Sequence, residues 1–324
     1  MRRVKAARSN PMRAFLSSLV LCATALLSAC GGGGSSEAGG LMYQSTVYSP
    51  ADISVSTNIA YSTRPNLGGR QYTSDARKSS EEGTGSLTLL MDIWLPPNIG
   101  SARPLVVWVH GGGFRTGGKE ARADEALGYA RAGYAAASVN YRLTPDNETN
   151  AATRTLAIQQ ATDDVMNAIR YLKQNAALYR IDPTRIAIMG TSAGGAIALV
   201  DAVEFDTLDN TSSDYPGQSA KVASVVSTGA TLVDPLFDSD AYLSYNSSDS
   251  PVLLFHTRPS DGTTGATWNG NVLPTKARID GSGNSCTAVP TPEVSHTVSL
   301  AMDTTYWNSH IRDFLWSTLR LASL

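Results

Sequence analysis

The stretch RIAIMGTSAGGAIALV, Arg185 to Val200, carries the clearest indication of how this chain folds. An apolar run ends in Gly190-Thr191-Ser192-Ala193-Gly194 and passes directly into an alanine-rich segment. The pattern predicts a buried strand, a sharp turn at Ser192 and a helix that begins at once. Two interpretations fit the turn: Ser192 is an exposed nucleophile, or the glycines only let a helix pack closely on a strand. The five residues alone leave both open.

Apolar runs of similar length recur on both sides of this stretch, and helix-like segments separate them. The runs that predict strands are SLTLLMDIWLPP, PLVVWVH, YAAASVNYRL, KVASVVSTGA, SPVLLFHT and TAVPTP. Strands that alternate with helices indicate the α/β class, with a mostly parallel central sheet and helices on both faces. In such sheets the reactive groups collect in loops at the carboxyl ends of the strands.

Two polar segments, Leu41–Gly85 and Asp201–Ser250, show little periodicity. The first fits a loop, an edge strand or part of a lid. We expect both segments to line or cap a pocket, because irregular polar connections lie on the surface around the ordered elements.

The first 29 residues predict a secretory signal. Five basic residues and no acidic ones precede a short apolar run that ends in small residues. A single membrane-spanning anchor is the alternative, but the run is short for a bilayer and a glycine tract follows it.

The end of that run, Leu27-Ser28-Ala29-Cys30, resembles the lipobox of bacterial lipoproteins. The resemblance implies cleavage before Cys30 and acylation of its thiol, which would hold the protein to a membrane through lipid chains. Residues 30–40 then form a flexible tether, and residues 41–324 form a single domain. The resemblance also implies sorting to the outer membrane of a bacterial cell envelope, because Gly31 stands where an aspartate would favour retention at the inner membrane. A periplasmic or secreted protein is the alternative.

Charge and cysteine content argue against a nucleic-acid partner, a disulfide framework and a metal site. The chain has 26 basic and 28 acidic side chains, and loss of the signal would leave a net charge of −7. An acidic domain argues against nucleic acid as a partner. Cys22 lies in the signal and Cys286 is then alone, so no disulfide framework is expected. No spacing of cysteine and histidine indicates a metal site.

Three consecutive glycines follow the strand PLVVWVH, in the sequence HGGGF at 110–114. Glycine leaves backbone N–H groups uncovered, and such groups can stabilise an oxyanion with little reorganisation. The alternative is an ordinary flexible loop. The loop follows a strand tightly and precedes the strand of Ser192, so we expect Gly112, Gly113 and Ala193 to form an oxyanion hole. His110 is expected to be structural.

The segments HGGGF, SVNYRLTPD, DDVMNAIRYL and DPTRIAIMGTSAGG occur in this order. Together they resemble the hormone-sensitive-lipase-like carboxylesterases of the α/β-hydrolase superfamily, over roughly Ser86 to the C-terminus. Gly118 and Lys119 follow HGGGF as in related bacterial esterases. The resemblance implies an α/β-hydrolase fold and hydrolysis of carboxylic esters through a Ser-His-Asp triad and an acyl-enzyme, without a cofactor.

The base must follow the serine, because the chain order in this fold is Ser, acid, His. His296, in PEVSHTVSL, lies between a predicted strand and the last helix, where the family has its catalytic histidine. His256 ends a strand at a position where family members have a structural histidine. His310 lies on the last helix and is expected to be an ordinary surface residue. We therefore expect His296 to be the base.

The acid is expected to be Asp261, in HTRPSDG just past a strand. Family members have a glycine where this chain has Thr257, and a shorter spacing to the aspartate. Asp280 is the main rival, in a segment typical of a helix-ending turn. Asp234 and Asp238 follow the preceding strand.

Two adjacent carboxylates, Asp163 and Asp164, invite an interpretation as an acid–base or metal pair. Neighbouring side chains on a helix point about 100° apart, so they share one site poorly. A solvated helix face or a structural hydrogen bond is the preferred interpretation.

The sequence leaves the substrate open. Short-chain esters and acyl groups linked to carbohydrates or polymers are expected. A peptidase of the prolyl-oligopeptidase type is the alternative enzyme, because it shares GxSxGG. A catalytically inactive hydrolase fold that binds a ligand is the alternative from a different class.

Overall fold

The computed structural model describes residues 41–145, 151–206, 214–235, 240–292 and 294–324. The predicted signal at 1–29, the tether with Cys30, and Asp238 lie outside the described residues. Within them, no helix is long and apolar enough to cross a membrane.

The described residues contain one eight-stranded sheet, with spatial order β1-β2-β4-β3-β5-β6-β7-β8. The strands are β1 (Ser54–Pro65), β2 (Ser86–Leu95), β3 (Arg103–Val109), β4 (Ala135–Val139), β5 (Ile181–Thr191), β6 (Ser224–Thr228), β7 (Val252–Thr257) and β8 (Cys286–Thr291). Strand β2 pairs antiparallel with β1 and β4, and β3 to β8 pair in parallel. The predicted mostly parallel sheet is confirmed.

Helices cover both faces of the sheet, as predicted. Those described are α1 (Lys78–Glu81), α2 (Ala123–Arg131), α3 (Ala151–Gln174), α4 (Ala176–Tyr179), α5 (Ala193–Glu204), α6 (Leu273–Gly281) and α7 (Arg312–Thr318). Successive residues of a strand point to opposite faces. Leu105 and Val107 of β3 therefore pack in one buried cluster with α3 and α5, whereas Val106 and Trp108 pack in another with α2 and α7.

The polar segment 41–85 contains the edge strand β1, one of the three structures that its sequence fits. Two register shifts interrupt its pairing with β2, between Ser56 and Ile59 and between Ala60 and Ser62. Each shift disturbs the alternation of inward and outward side chains. The sequence of this strand therefore lacks the regular period of two that is typical of a half-buried strand.

Asp163 and Asp164 lie buried on α3, so the interpretation as a solvated helix face is wrong and the structural one applies. Arg142, which follows β4, donates to Asp164 from Nε at 2.9 Å and from Nη2 at 2.8 Å. Arg64 of β1 places its Nε 3.5 Å from the same carboxylate. These ion pairs join α3 to the edge strand and to the segment after β4.

A third buried carboxyl group, that of Asp201 on α5, differs from these two in its lack of hydrogen-bond partners within the ranges that the structure describes. It is fully buried, and neither of its carboxylate oxygens has a hydrogen-bond partner among the described residues. Burial raises the pKa of Asp201 to about 8, although Lys173 and Arg170 act in the opposite direction. The folded protein therefore keeps this carboxyl protonated at neutral pH.

We expect Asp201 to make the protein less stable as the pH rises from about 4 to about 8. An unfolded aspartate has a pKa of about 3.9, so in this window the unfolded chain loses the proton that the folded chain retains. The free energy of unfolding falls wherever the unfolded state binds fewer protons. Asn is neutral throughout, so the stability of wild type minus that of Asp201→Asn should decrease across the window, as measured by urea unfolding.

The exposed Asp313→Asn change is the matched control, because it removes a carboxylate whose side chain is 72% exposed. Its stability difference from wild type should stay flat over the same pH range. A flat difference for Asp201→Asn as well would contradict the expected titration.

Candidate active site

Five parallel strands bring their carboxyl ends to one edge of the sheet, and each is followed by residues that the sequence singled out. The loops after β3, β5, β6, β7 and β8 carry, in that order, His110–Gly113, Ser192, Gly229–Asp234, Asp261 and His296.

Ser192 lies in a strained turn between β5 and α5, with φ 54° and ψ −120°. Its N–H donates to the carbonyl of Thr228 at 2.8 Å. The flanking glycines allow a close approach, because a Cβ on Gly190 would lie 2.0 Å from the Gly194 carbonyl oxygen. A Cβ on Gly194 would lie 2.3 Å from the carbonyl oxygen of Val109. The turn therefore has both features that the sequence suggested: an unusual serine conformation and close helix–strand packing.

His296 links Ser192 to Asp261. Its Nε2 lies 2.8 Å from Ser192 Oγ, and its Nδ1 lies 2.6 Å from Asp261 Oδ2. An ionised carboxylate only accepts hydrogen bonds, so Nδ1 carries the proton and Nε2 is left to accept the serine hydroxyl. Such an arrangement can take a proton from Oγ and hold the resulting imidazolium next to a negative charge.

Asp261 is buried, and its carboxylate accepts several hydrogen bonds. The Thr263 N–H donates to Oδ1 at 2.8 Å and the Thr264 hydroxyl donates to Oδ2 at 3.0 Å. Burial acts to raise the pKa of Asp261, but these hydrogen bonds and the one from His296 outweigh it and keep the pKa below its usual value. The carboxylate is therefore ionised at neutral pH.

The rival aspartates make other contacts. Asp280 ends α6, where its carboxylate accepts from Lys276 Nζ at 2.5 Å and from the Cys286 N–H at 2.8 Å. Asp234 accepts a hydrogen bond from the Thr231 hydroxyl at 3.2 Å. Among the described carboxylates, Asp261 is the one placed against His296.

The other histidines downstream of Ser192 are held elsewhere. His256 is buried in β7 with Nδ1 3.1 Å from the carbonyl of Thr257, and burial lowers its pKa. The His310 ring packs edge-on against Phe255, with ring centroids 5.9 Å apart.

The glycine loop lies directly against the serine turn. A Cβ on Gly111 would come within 3.2 Å of the Ser192 Cβ. Gly112 and Gly113 follow with φ +116° and +61°, a region that favours glycine. Ala193 is the first residue of α5, at the positive end of the helix dipole. No acceptor in the described part of the chain is bonded to the N–H of Gly112, Gly113 or Ala193.

His110 supports this loop from beneath. Its ring is fully buried and stacks on Tyr141 at a centroid distance of 4.3 Å. Its Nδ1 lies 2.7 Å from the Gly111 carbonyl, and the Tyr141 hydroxyl donates to the His110 carbonyl at 2.9 Å. Burial lowers the pKa of His110 to about 4. The ring is therefore neutral at neutral pH and serves to hold the loop.

Two threonines that the sequence did not single out as functional hold the backbone on either side of His296. The Thr257 hydroxyl donates to the carbonyl of Ser295. The Val298 N–H donates to Thr228 Oγ1 at 3.0 Å. The resemblance leads us to expect a glycine at the position of Thr257, and this departure was the one available signal.

A cleft that is open to solvent borders the serine. Its lining residues are Ser192, Ala193, Ala196, Gly229, Ala230, Thr231, Asp234 and Thr264. The polar segment Asp201–Ser250 therefore contributes one wall, as expected. None of these lining residues belongs to Leu41–Gly85, although we expected both segments at the pocket. No group of three His, Cys, Asp or Glu in the described ranges is placed to hold a metal ion.

A family model, BD-FAE, matches residues 91–256 of this chain, slightly more than half of its length. A carboxylesterase of Mycobacterium tuberculosis, NlhH, is 37% identical over 111 residues, which are 34% of this chain and 32% of that protein. A phenmedipham hydrolase of Pseudarthrobacter oxydans is 34% identical over 113 residues, or 33% of this chain and 21% of that protein. The match thus spans about a third or less of these relatives.

Solved structures extend the similarity in fold. A truncated carbohydrate esterase from gut microbiota gives a TM-score of 0.59 at 20% identity, over 85% of this chain and 98% of that one. An esterase of Thermogutta terrifontis gives 0.53 at 20% identity, over 73% of this chain and 86% of that one. The predicted α/β-hydrolase fold is confirmed.

The contact between Asp261 and His296 predicts a strongly deshielded imidazole proton in the NMR spectrum. A short hydrogen bond from Nδ1 to an ionised carboxylate is charge-assisted, so its proton should resonate at low field. Asp261→Asn keeps the size of the side chain but removes the charge, and should shift this resonance upfield. Asp280→Asn, at the end of α6, should leave it in place. An unchanged low-field signal in Asp261→Asn would contradict the pairing.

Proposed function

The chain belongs to the BD-FAE family, and from that premise we propose that it is a serine hydrolase of carboxylic esters. Ser192 is the nucleophile, His296 the general base and Asp261 the acid that orients it. The observation that carries the proposal is the continuous hydrogen-bonded relay, 2.8 Å from Ser192 Oγ to His296 Nε2 and 2.6 Å from Nδ1 to Asp261 Oδ2. Names of relatives that include carboxylesterase support the same reaction.

The reaction proceeds in two halves. Ser192 Oγ attacks the ester carbonyl while its proton passes to His296 Nε2, and the tetrahedral intermediate then expels the alcohol, which takes that proton. Water then attacks the acyl-enzyme while His296 Nε2 accepts its proton. The second tetrahedral intermediate breaks its bond to Ser192 Oγ, which takes that proton back, and the carboxylic acid leaves. Asp261 stays ionised throughout and stabilises the imidazolium, consistent with the low pKa that its hydrogen bonds maintain.

The oxyanion of each tetrahedral intermediate is held by the N–H groups of Gly112, Gly113 and Ala193. Support comes from the contact of the glycine loop with Ser192 and from the position of Ala193 at the start of α5. The loop is already shaped by His110 and Tyr141, so little reorganisation accompanies the reaction.

The substrates proposed are small esters, or acyl groups carried by carbohydrates or polymers. The cleft beside Ser192 is open to solvent, which suits a small acyl or alcohol group with the remainder of the substrate in solvent. A similar fold occurs in a carbohydrate esterase. The intact relay speaks against an inactive binding protein.

We expect Ser192→Ala to lower kcat/KM for p-nitrophenyl acetate by about 10⁴-fold or more, because loss of a triad nucleophile removes the covalent route. The same variant should resist labelling by a fluorophosphonate probe. Ser309→Ala, on the last helical segment, is the matched control and should label and turn over like wild type. Parent-rate hydrolysis by Ser192→Ala would overturn the assignment. Faster turnover of aminoacyl amides than of acyl esters would favour the peptidase alternative.

We further propose that Cys30 anchors the protein to the bacterial cell envelope, at the outer membrane, through acylation of its thiol. The support is the Leu-Ser-Ala-Cys sequence at the end of the signal. A single acyl chain binds membranes reversibly, whereas several hold a protein firmly.

Cys30→Ser should move the protein from the detergent phase to the aqueous phase in a Triton X-114 partition, and should abolish incorporation of labelled palmitate. Cys22→Ser, within the predicted signal, should change neither. Labelling of Cys30→Ser with palmitate would show that the anchor lies elsewhere.

A further inference from the structure

The cleft beside Ser192 is lined by two kinds of side chain. Ala193, Ala196 and Ala230 have methyl side chains, whereas Thr231 and Asp234 have side chains that carry oxygen atoms. A lining of this composition can contact both aliphatic and polar parts of a bound molecule. The reaction itself uses none of the polar atoms of Thr231 or Asp234, so their function is open.

Asp234 is the charged group on this wall. It lies in the loop that follows β6, its residue is 6% exposed, and the Thr231 hydroxyl donates to its Oδ2 at 3.2 Å. An ionised carboxylate offers about four lone-pair positions. It can therefore accept a hydrogen bond from a bound molecule in addition to the contacts that it makes within the protein.

The negative charge of Asp234 reaches neighbouring groups. Burial lowers the pKa of His256, and Asp234 acts in the opposite direction, with a smaller effect than the Thr257 carbonyl and Asp261. Charges act more strongly where protein displaces water. A carboxylate on a bound substrate would thus be repelled from this wall, whereas a hydroxyl or a cation would be attracted.

We propose that Asp234 determines the substrate class of the proposed esterase, selecting esters that bear a hydroxyl or cationic group close to the scissile bond and rejecting esters that bear a carboxylate there. The inference rests on the proposed function, since it concerns the cleft of Ser192.

The test uses two series of esters, one for each side of the ester bond, in which a methyl, hydroxyl or carboxylate group ends the same two-carbon spacer. On the acyl side the members are methyl butyrate, methyl hydroxypropanoate and monomethyl succinate. On the alcohol side they are propyl acetate, hydroxyethyl acetate and acetoxypropanoate. The kcat/KM of each ester is measured for wild type, Asp234→Asn, Asp234→Glu and Asp313→Asn. Ratios between esters within one variant are unaffected by the fraction of protein that is folded.

In at least one series, wild type should have a higher kcat/KM for the hydroxyl ester than for the carboxylate ester. Asp234→Asn should reduce the ratio of these two kcat/KM values about tenfold, which corresponds to about 1.4 kcal/mol. Asp234→Glu keeps the charge and should retain most of the preference. Asp313→Asn removes an exposed carboxylate outside the cleft and should leave the ratio unchanged.

Equal turnover of hydroxyl and carboxylate esters by wild type in both series would overturn the proposal without any variant. The proposal would also be overturned if Asp234→Asn left the ratio of kcat/KM for the hydroxyl ester to that for the carboxylate ester unchanged. If Ser192→Ala loses activity while either result is obtained, the specificity proposal alone fails. If Ser192→Ala hydrolyses the esters at the parent rate, the proposed function fails as well.

Discussion

The arrangement of this molecule depends on how closely the start of α5 approaches the end of β3. Gly194 has no room for a side chain, because a Cβ there would lie 2.3 Å from the Val109 carbonyl oxygen and 2.6 Å from that of His110. Because of this contact the chain turns sharply between β5 and α5, and Ser192 adopts a strained conformation in that turn. The same contact holds the glycine loop after β3 beside the serine, so the proposed nucleophile and the proposed oxyanion donors share one constraint.

The parallel sheet supplies the other reactive groups without long loops. Strands β6, β7 and β8 lie side by side, and their carboxyl ends lead to Thr228, Asp261 and His296. Threonine hydroxyls and backbone amides then set the positions of these groups within the turns. At Asp261 these hydrogen bonds outweigh the effect of burial on the pKa, so its carboxylate stays ionised beside the imidazole.

Buried carboxylates serve different purposes in this fold, and their surroundings distinguish them. Asp164 is matched by two arginines and fastens the edge strand, so its charge is neutralised within the scaffold. Asp201 has no hydrogen-bond partner in the described part of the chain and stays protonated, because desolvation disfavours its charged form. Asp234 borders the open cleft, where a charge can act on what binds.

The sequence by itself determined the class of fold, the serine turn and the loop that carries His296, because apolar runs, glycine positions and chain order are local or sequential properties. It left Asp261 and Asp280 as rivals, since both follow the strand at Val252–Thr257 and only the folded chain shows that Asp280 contacts Lys276. Strand β1 was ambiguous because its register shifts remove the period of two. The threonine contacts beside His296 were hidden because they join segments far apart in the chain, whose proximity arises only when parallel strands align.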